Sequence, residues 1–342
     1  MYKTLSRTDL PGLIKEWQAR FTVYAPGRQG DMTAFQPVDD PAQVDLSAVN
    51  TRFPPKALFL PQSEVMLQIE ADRLQPVEDP DAPRLILGMR PCDARALQLL
   101  DTVFMTEEDQ DPYWASKRER TTIVALGCDD PCETCFCNAV GSGPFDGRGA
   151  DVLLTVVDSI DSIDSTQGTY VAEVRTEKGE ALLAQLSDAA AEQIEVAQAV
   201  QASAVESMQA PFDATGIKDK LYSMFESDFW QHIQQSCLGC GVCTFLCPTC
   251  FCFDIVDEAQ RGQRVRNWDT CMFRTYSLEA SGHNPRPTNV ERTRQRIMHK
   301  YAYWIELIDQ IGCTGCGRCV RYCPVSLDIR HIVRSAQAWE EA

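Results

Sequence analysis

Cys237-Leu-Gly-Cys240-Gly-Val-Cys243-Thr-Phe-Leu-Cys247-Pro248 is a run of four cysteines, and Cys313-Thr-Gly-Cys316-Gly-Arg-Cys319-Val-Arg-Tyr-Cys323-Pro324 repeats its spacing. Each run sets three thiols two residues apart, then a fourth after three more residues, then proline. Three thiolates so close in sequence wrap one face of a metal–sulfur group in a tight loop. Gly239, Gly241, Gly315 and Gly317 let that loop turn so that its N–H groups face the sulfurs. Working outward, Ile217, Leu221, Met224, Phe225, Phe229 and Ile233 recur at helical spacing and run into Cys237. A second helical stretch, Asn289 to Ile308, leads into Cys313.

The spacing CxxCxxCxxxC followed by Pro is that of bacterial two-cluster ferredoxins, in which the fourth cysteine of each run ligates the other cluster. Crossing the fourth ligands gives Cys237, Cys240, Cys243 and Cys323 for one [4Fe-4S] cluster, and Cys313, Cys316, Cys319 and Cys247 for the second. Structural zinc sites use paired CxxC knuckles, a different arrangement. A fully ligated cubane leaves no open coordination position, so its task is one-electron transfer.

The rest of the composition agrees with a metal role for the cysteines. Sixteen cysteines in 342 residues with 44% hydrophobic content describe a chain too long to need disulfide staples. No signal-peptide pattern opens it, so a cytoplasmic location is expected, where thiols stay reduced. The longest uncharged cysteine-rich run, Cys237 to Phe253, is broken by Gly239, Gly241 and Pro248, and no membrane span is expected. The net charge is −17, and residues 1–211 carry all of the acidic excess. An acidic body of this kind repels phosphates and argues against nucleic acid as a partner.

The first part reads as strands at Phe21–Tyr24, Ala57–Leu60, Leu85–Met89, Thr121–Leu126, Val152–Val157 and Thr169–Thr176. Asp93 to Phe104 reads as a helix with Asp93 as its cap, and an Ala/Gln/Glu-rich helix is expected from Gly179 to about Ala210. The fold class is therefore α+β: an N-terminal mixed α/β domain over residues 1–210, then a helix-flanked, bacterial two-[4Fe-4S] ferredoxin-like domain over 211–342 with an insertion between its motifs. If the strands ending at Met89 and Leu126 are parallel neighbours, Cys92 and Cys128 share the carboxyl edge of one sheet, where α/β folds gather ligands. A helix N-terminus at Cys92 would favour thiolate. With Cys132, Cys135 and Cys137 close behind, that edge has enough thiols for a third cluster; the alternative is buried free thiols.

Cys132-Glu-Thr-Cys135-Phe-Cys137 and Cys247-Pro-Thr-Cys250-Phe-Cys252 share the phrase CxTCFC. With Cys271, the second phrase supplies three thiols beside the ferredoxin motifs. They either take part in a fourth cluster or pack and hydrogen-bond around the others.

Arg90-Pro-Cys-Asp93, Thr134-Cys-Phe-Cys137, Cys247-Pro-Thr-Cys-Phe-Cys-Phe-Asp254, Trp268-Asp-Thr-Cys-Met-Phe273, Ser281-Gly-His-Asn-Pro-Arg-Pro287 and His299-Lys300 resemble phrases of one family. It is that of the [4Fe-4S] dicluster electron-transfer subunits typified by the β subunit of soluble sulfhydrogenases and by the corresponding iron–sulfur subunit of anaerobic sulfite reductase, with relatives in heterodisulfide reductase-linked flavin oxidoreductases. The resemblance covers nearly the whole chain. It implies a non-catalytic conduit in anaerobic metabolism, joining a FAD- and NAD(P)H-binding flavoprotein subunit to a terminal redox subunit in a hetero-oligomer. It also implies that Cys92, Cys128, Cys135 and Cys137 ligate the additional cluster. The family pattern does not reliably place a cysteine at Cys132.

From Arg261 to Lys300 nine basic residues face three acidic ones. Arg264, Arg266, Arg274, Arg286, Arg292, Arg294 and Arg296 are read either as cations that stabilise reduced clusters or, for the stretch from Arg292 to Lys300, as a solvated helix face. His283 is assigned no catalytic role. No phosphate loop or dinucleotide fingerprint is present, since Gly141-Ser-Gly-Pro-Phe-Asp-Gly147 lacks the required spacing, so no flavin or NAD site is read in this chain. The alternative to a conduit is a catalytic reductase acting at an unusual first-domain cluster.

Overall fold

In a computed structural model of the chain, residues 1–70, 73–77, 82–157 and 168–340 are described. The strands are β1 (Tyr2–Ser6), β2 (Thr22–Gln29), β3 (Met32–Pro37), β4 (Ser63–Glu70), β5 (Arg73–Pro76), β6 (Arg84–Met89), β7 (Thr121–Leu126), β8 (Val152–Val157), β9 (Thr169–Val174), β10 (Phe253–Glu258) and β11 (Gln263–Trp268). The helices are α1 (Leu10–Gln18), α2 (Pro91–Phe104), α3 (Pro112–Glu119), α4 (Glu177–Leu183), α5 (Ala191–Ser207), α6 (Ile217–Ser223), α7 (Phe229–Gln234), α8 (Val242–Phe245), α9 (Asn289–Met298), α10 (Trp304–Ile308), α11 (Arg318–Arg321) and α12 (Ile329–Ala338). The fold is α+β.

Seven strands form one mixed sheet in the order β1-β9-β8-β7-β6-β2-β3. Its four central strands β8, β7, β6 and β2 are parallel, and β9, β1 and β3 add antiparallel edges. Leu85, Leu87, Val124 and Leu126 pack under α1 and α4, while Ile86, Met89, Ile123 and Ala125 pack under α2 and Trp114 of α3. Burial on both faces explains why β6 and β7 read as continuous aliphatic runs rather than alternating ones.

Several elements differ from the sequence expectation. Ala57–Leu60 is not a strand: a 3-10 turn spans Pro55–Leu58, because Pro54 and Pro55 have no N–H for a ladder and preset a turn. Asp93 is not the cap of α2. Arg90 stands there, Pro91 takes the first helical position, and Asp93 lies buried in the first turn. The helix expected from Gly179 to Ala210 is two helices. Between them, Thr4 N–H donates to Ser187 carbonyl and Ala189 N–H to Tyr2 carbonyl, so the chain breaks to pair with β1. The run from Ile217 to Ile233 is likewise split into α6 and α7, with buried Trp230 Nε1 donating to the C-terminal end of α6 at Met224 carbonyl. The stretch Asn289 to Ile308 is continuous, but a π turn at His299–Tyr303 joins α9 to α10.

The insertion between the cysteine motifs is the hairpin β10–β11. It pairs with β4, forming a second sheet in the order β10-β11-β4-β5 that spans both parts of the chain. Arg266 of β11 is 1% exposed and pairs with Glu64 of β4 and with Asp111. The third core contains α6, α7, α9, α12 and the π turn, and it also takes in Phe136, Ala139 and Val140 from the first part. Among the described residues no helix is long and apolar enough to cross a membrane.

Candidate metal centres

Gly241 and Gly317 cap α8 and α11 in the left-handed region, at φ 74° and 73°. That conformation turns each cysteine loop into a short helix and carries the third thiol of the motif inward. Gly239 N–H faces Cys237 Sγ at 3.5 Å and Gly315 N–H faces Cys313 Sγ at 3.4 Å.

The first motif and the fourth cysteine of the second meet at what we call the outer site. Cys237, Cys240, Cys243 and Cys323 line one cavity, with Arg296 in its wall. Leu327 N–H donates to Cys323 Sγ at 3.3 Å. Cys240 is exposed, alone among the sixteen cysteines. Arg296 is buried, and its Nε has no hydrogen-bond partner among the described residues.

At the central site, Cys247 faces Cys313, Cys316 and Cys319. Cys247, Cys313 and Cys316 are buried. Lys300, in the π turn and 4% exposed, places Nζ 3.2 Å from Cys247 Sγ, 2.9 Å from Thr249 Oγ1 and 3.0 Å from Gly312 carbonyl. Burial alone would lower the pKa of this ammonium. The facing thiolates of Cys247, Cys250 and Cys313 outweigh burial and raise it.

The sheet-edge site forms where β6 and β7 end. These strands are parallel neighbours, so Cys92 at the start of α2 and Cys128 after β7 emerge side by side. Arg90 fixes both turns, donating to Gly127 carbonyl at 2.7 Å, Ala48 carbonyl at 2.9 Å and Leu46 carbonyl at 3.0 Å. Cys92, Cys128, Cys135 and Cys137 line a cavity whose far wall is Gly315 and Cys316 of the second ferredoxin motif. Burial first, then Asp93, raises the pKa of the Cys92 thiol. Burial likewise pushes Cys128 up to about 11, against the pull of Arg90. Cys132 is not in the cavity lining and lies against Arg321.

The remaining thiols make pairwise contacts. Cys250 hydrogen-bonds to Cys247, and its carbonyl accepts Lys56 Nζ at 2.5 Å. The pKa of Cys252 is held at about 6, chiefly by a hydrogen bond from Cys271, and Tyr276 also reaches it.

The thiols at the outer and sheet-edge sites surround cavities instead of converging on one point. Among the described residues no three His, Cys, Asp or Glu side chains come close enough to hold a single ion, which requires four sulfurs each about 2.3 Å from the same zinc. Spread thiols fit a cubane, where every sulfur has its own corner iron. Buried polar atoms without a hydrogen-bond partner among the described residues fit it too: Thr134 Oγ1 at the sheet-edge loop, Thr314 Oγ1 in the second motif, and Arg296 Nε.

The sites are joined by backbone. Phe136 N–H donates to Gly315 carbonyl at 2.8 Å, and a Cβ on Gly315 would stand 2.4 Å from the Cys137 nitrogen. Arg318, between Cys316 and Cys319, forms a bidentate pair with Asp93 at 2.5 and 2.7 Å, with both side chains almost wholly buried. Asn50 Nδ2 donates to Cys316 carbonyl at 2.6 Å. Sequence reasoning missed the Asp93–Arg318 pair and Lys56, since nothing in local spacing relates residues so far apart.

Of the basic stretch, Arg264 pairs with Asp257 and Arg266 with Glu64 and Asp111, away from the thiols. Arg294 pairs with Glu226. Arg292 is buried and donates to the carbonyls of Cys271, Phe273, Arg274 and Arg286. Arg292, Arg296 and Lys300 are therefore internal cations, not a solvated face.

Residues 236–327 match the family described as a 4Fe-4S dicluster domain. Over 313 residues, 90% of this chain and 89% of the relative, the sequence is 29% identical to sulfhydrogenase 2 subunit beta of Pyrococcus furiosus. No solved structure matches the chain. The chain is thus a homologue of a sulfhydrogenase β subunit along nine-tenths of its length, and its C-terminal part is a 4Fe-4S dicluster domain.

Proposed function

We propose that this chain is the iron–sulfur electron-transfer subunit of a multi-subunit oxidoreductase and that it carries three [4Fe-4S] clusters in line. The ligands are Cys237, Cys240, Cys243 and Cys323 at the outer site, Cys313, Cys316, Cys319 and Cys247 at the central site, and Cys92, Cys128, Cys135 and Cys137 at the sheet edge. The observation that carries this reading is the wall shared by the last two: Cys316 lines the cavity of the four sheet-edge thiols. Bound clusters supply one-electron transfer.

The protein's own residues do the rest. Arg90 holds the turns bearing Cys92 and Cys128, and the Asp93–Arg318 pair locks the sheet edge to the second motif. Arg296 and Lys300 place positive charge against sulfurs that become more negative on reduction. Cys250, Cys252 and Cys271, engaged in pairwise hydrogen bonds, act around the clusters rather than as ligands of a fourth, and Cys132 is not a ligand.

One-electron carriers need a partner that splits electron pairs. We therefore place a FAD- and NAD(P)H-binding flavoprotein at one end of the line and, at the other, a terminal redox subunit, in keeping with the relative's name as a hydrogenase subunit. Anaerobic iron and sulfide analysis tests the count: about twelve of each are expected, at four per cluster. A value near eight removes the sheet-edge cluster from the proposal. NAD(P)H-dependent turnover by the isolated chain overturns the relay reading altogether.

A further inference from the structure

The three sites differ in the charges that face their sulfurs. At the sheet edge the field is mixed: Arg90 acts on Cys128 and hydrogen-bonds to it, while sharing its donors with three backbone carbonyls. Acids stand close by: Asp129 acts on Cys128, and Asp93 and Asp146, each paired with an arginine, act on Cys92 and Cys137. At the outer site the cation is Arg296, and one ligand, Cys240, is exposed to solvent that screens it.

The central site is different. Lys300 Nζ lies 3.2 Å from Cys247 Sγ, and the same sulfur has Thr249 Oγ1 at 3.2 Å. Arg296 also acts on Cys247 and Cys319. A carboxylate acting on Cys316 is that of Asp93, which Arg318 already neutralises. A second ammonium, Lys56, stands behind Cys250 and lies over the Trp268 ring at 4.3 Å. Lys300 and Lys56 are both nearly inaccessible to solvent, so their fields are weakly screened.

Resting on the three-cluster reading above, we infer that Lys300 sets the potential of the central cluster above those of its two neighbours, so that an electron entering the relay comes to rest between them. Reduction adds one negative charge to a group whose ligand sulfur already accepts a charged hydrogen bond. That bond strengthens when the electron arrives and so favours the reduced form. Burial acts in the opposite direction and disfavours the more highly charged reduced state, and Lys300 is the contact that offsets it. Lys300 acts through Cys247 and is a positioning residue. Its place in the π turn, one helical turn after Arg296, puts both cations on the inner side of the helix, and π turns often mark functional positions.

The test is an anaerobic redox titration of the complex followed by electron paramagnetic resonance, with the central signal identified as the one altered by Cys247→Ser. The expected result is that this signal has the highest midpoint. Lys300→Met lowers it by at least about 59 mV, a tenfold drop in the reduced-to-oxidised ratio at fixed potential for one electron, and leaves the other two in place. Lys300→Arg restores most of the shift. If Lys300→Met does not assemble, Lys56→Met decides, with a smaller shift of the same sign expected because its ammonium binds a carbonyl and not a sulfur. An unmoved central midpoint, or equal shifts at all three signals, overturns the inference while leaving the relay standing. An iron content of eight or less fails the three-cluster reading, and this inference with it.

Discussion

In each ferredoxin motif three thiols come from seven consecutive residues, whereas the four at the sheet edge are drawn from 46, between Cys92 and Cys137. The first arrangement is built by loop geometry: glycines at positive φ and N–H groups aimed at sulfur. The second is built by topology, since β6 and β7 must be hydrogen-bonded neighbours before Cys92 and Cys128 can meet. The two kinds of site also differ in what holds them. The motif sites sit within a helical core and near buried cations. The sheet-edge site depends on a junction of one ion pair and a few backbone contacts with the second motif. Local motifs thus give sites that tolerate change elsewhere, and a site assembled across a junction should fail when the junction does.

The junction turns on the buried Asp93–Arg318 pair. Asp93→Asn leaves Arg318 charged and unpaired in the interior and should destabilise the protein by about 3–5 kcal/mol. Adding Arg318→Met should recover much of that loss. Thermal unfolding of the two variants checks it, and a double variant no better than the single one would mean that the pair is not an isolated couple.

A smaller expected effect comes from Gly315→Ala. Its φ is 66°, and the new Cβ would press on Cys137 and Phe136 backbone atoms at 2.4–2.5 Å. Overpacking costs about 1–3 kcal/mol and the left-handed backbone about 1–2 kcal/mol. Gly141→Ala, at φ 72° with nothing within 4 Å of its Cβ, carries only the backbone cost. The junction variant should lose about four irons, those of the sheet edge, and the control none. Equal iron in both would show that the sheet-edge site is independent of the second motif.

The smallest effect is kinetic. Because Cys240 alone is exposed, the outer site should lose iron first under a chelator or air, before the central site where Cys247, Cys313 and Cys316 are buried. The order of signal loss in electron paramagnetic resonance reads this directly. Simultaneous loss from all three would mean that global unfolding, and not local access, governs release.

Much of the frame was legible in the chain. The spacing of the two motifs led to the 4Fe-4S dicluster domain, and the aliphatic runs at Leu85–Met89 and Thr121–Leu126 led to parallel central strands, because complete burial leaves a continuous apolar run. Other elements were not. The edge strands β1 and β3 and the hairpin β10–β11 are only partly buried and show no such run; Gly262, at φ 62° in the hairpin turn, was the available signal. Pro54 and Pro55 were there to argue against a strand at Ala57–Leu60. The helix breaks at Ser187 and after Ser223 answer to pairing with β1 and to packing of Trp230, which no local propensity encodes.

Neighbours along the chain account for the cysteine loops, the left-handed glycines that turn them, and the strands that are apolar on both faces. Only the tertiary structure decided which distant residues meet. Cys316 walls the sheet-edge cavity, Asp93 neutralises Arg318 across 225 residues of chain, and Lys300 reaches Cys247 from a π turn. The physical reason is that a buried charge must find a partner and a buried thiol cavity needs walls. Those partners are chosen by the packing of whole elements, which no window of sequence contains.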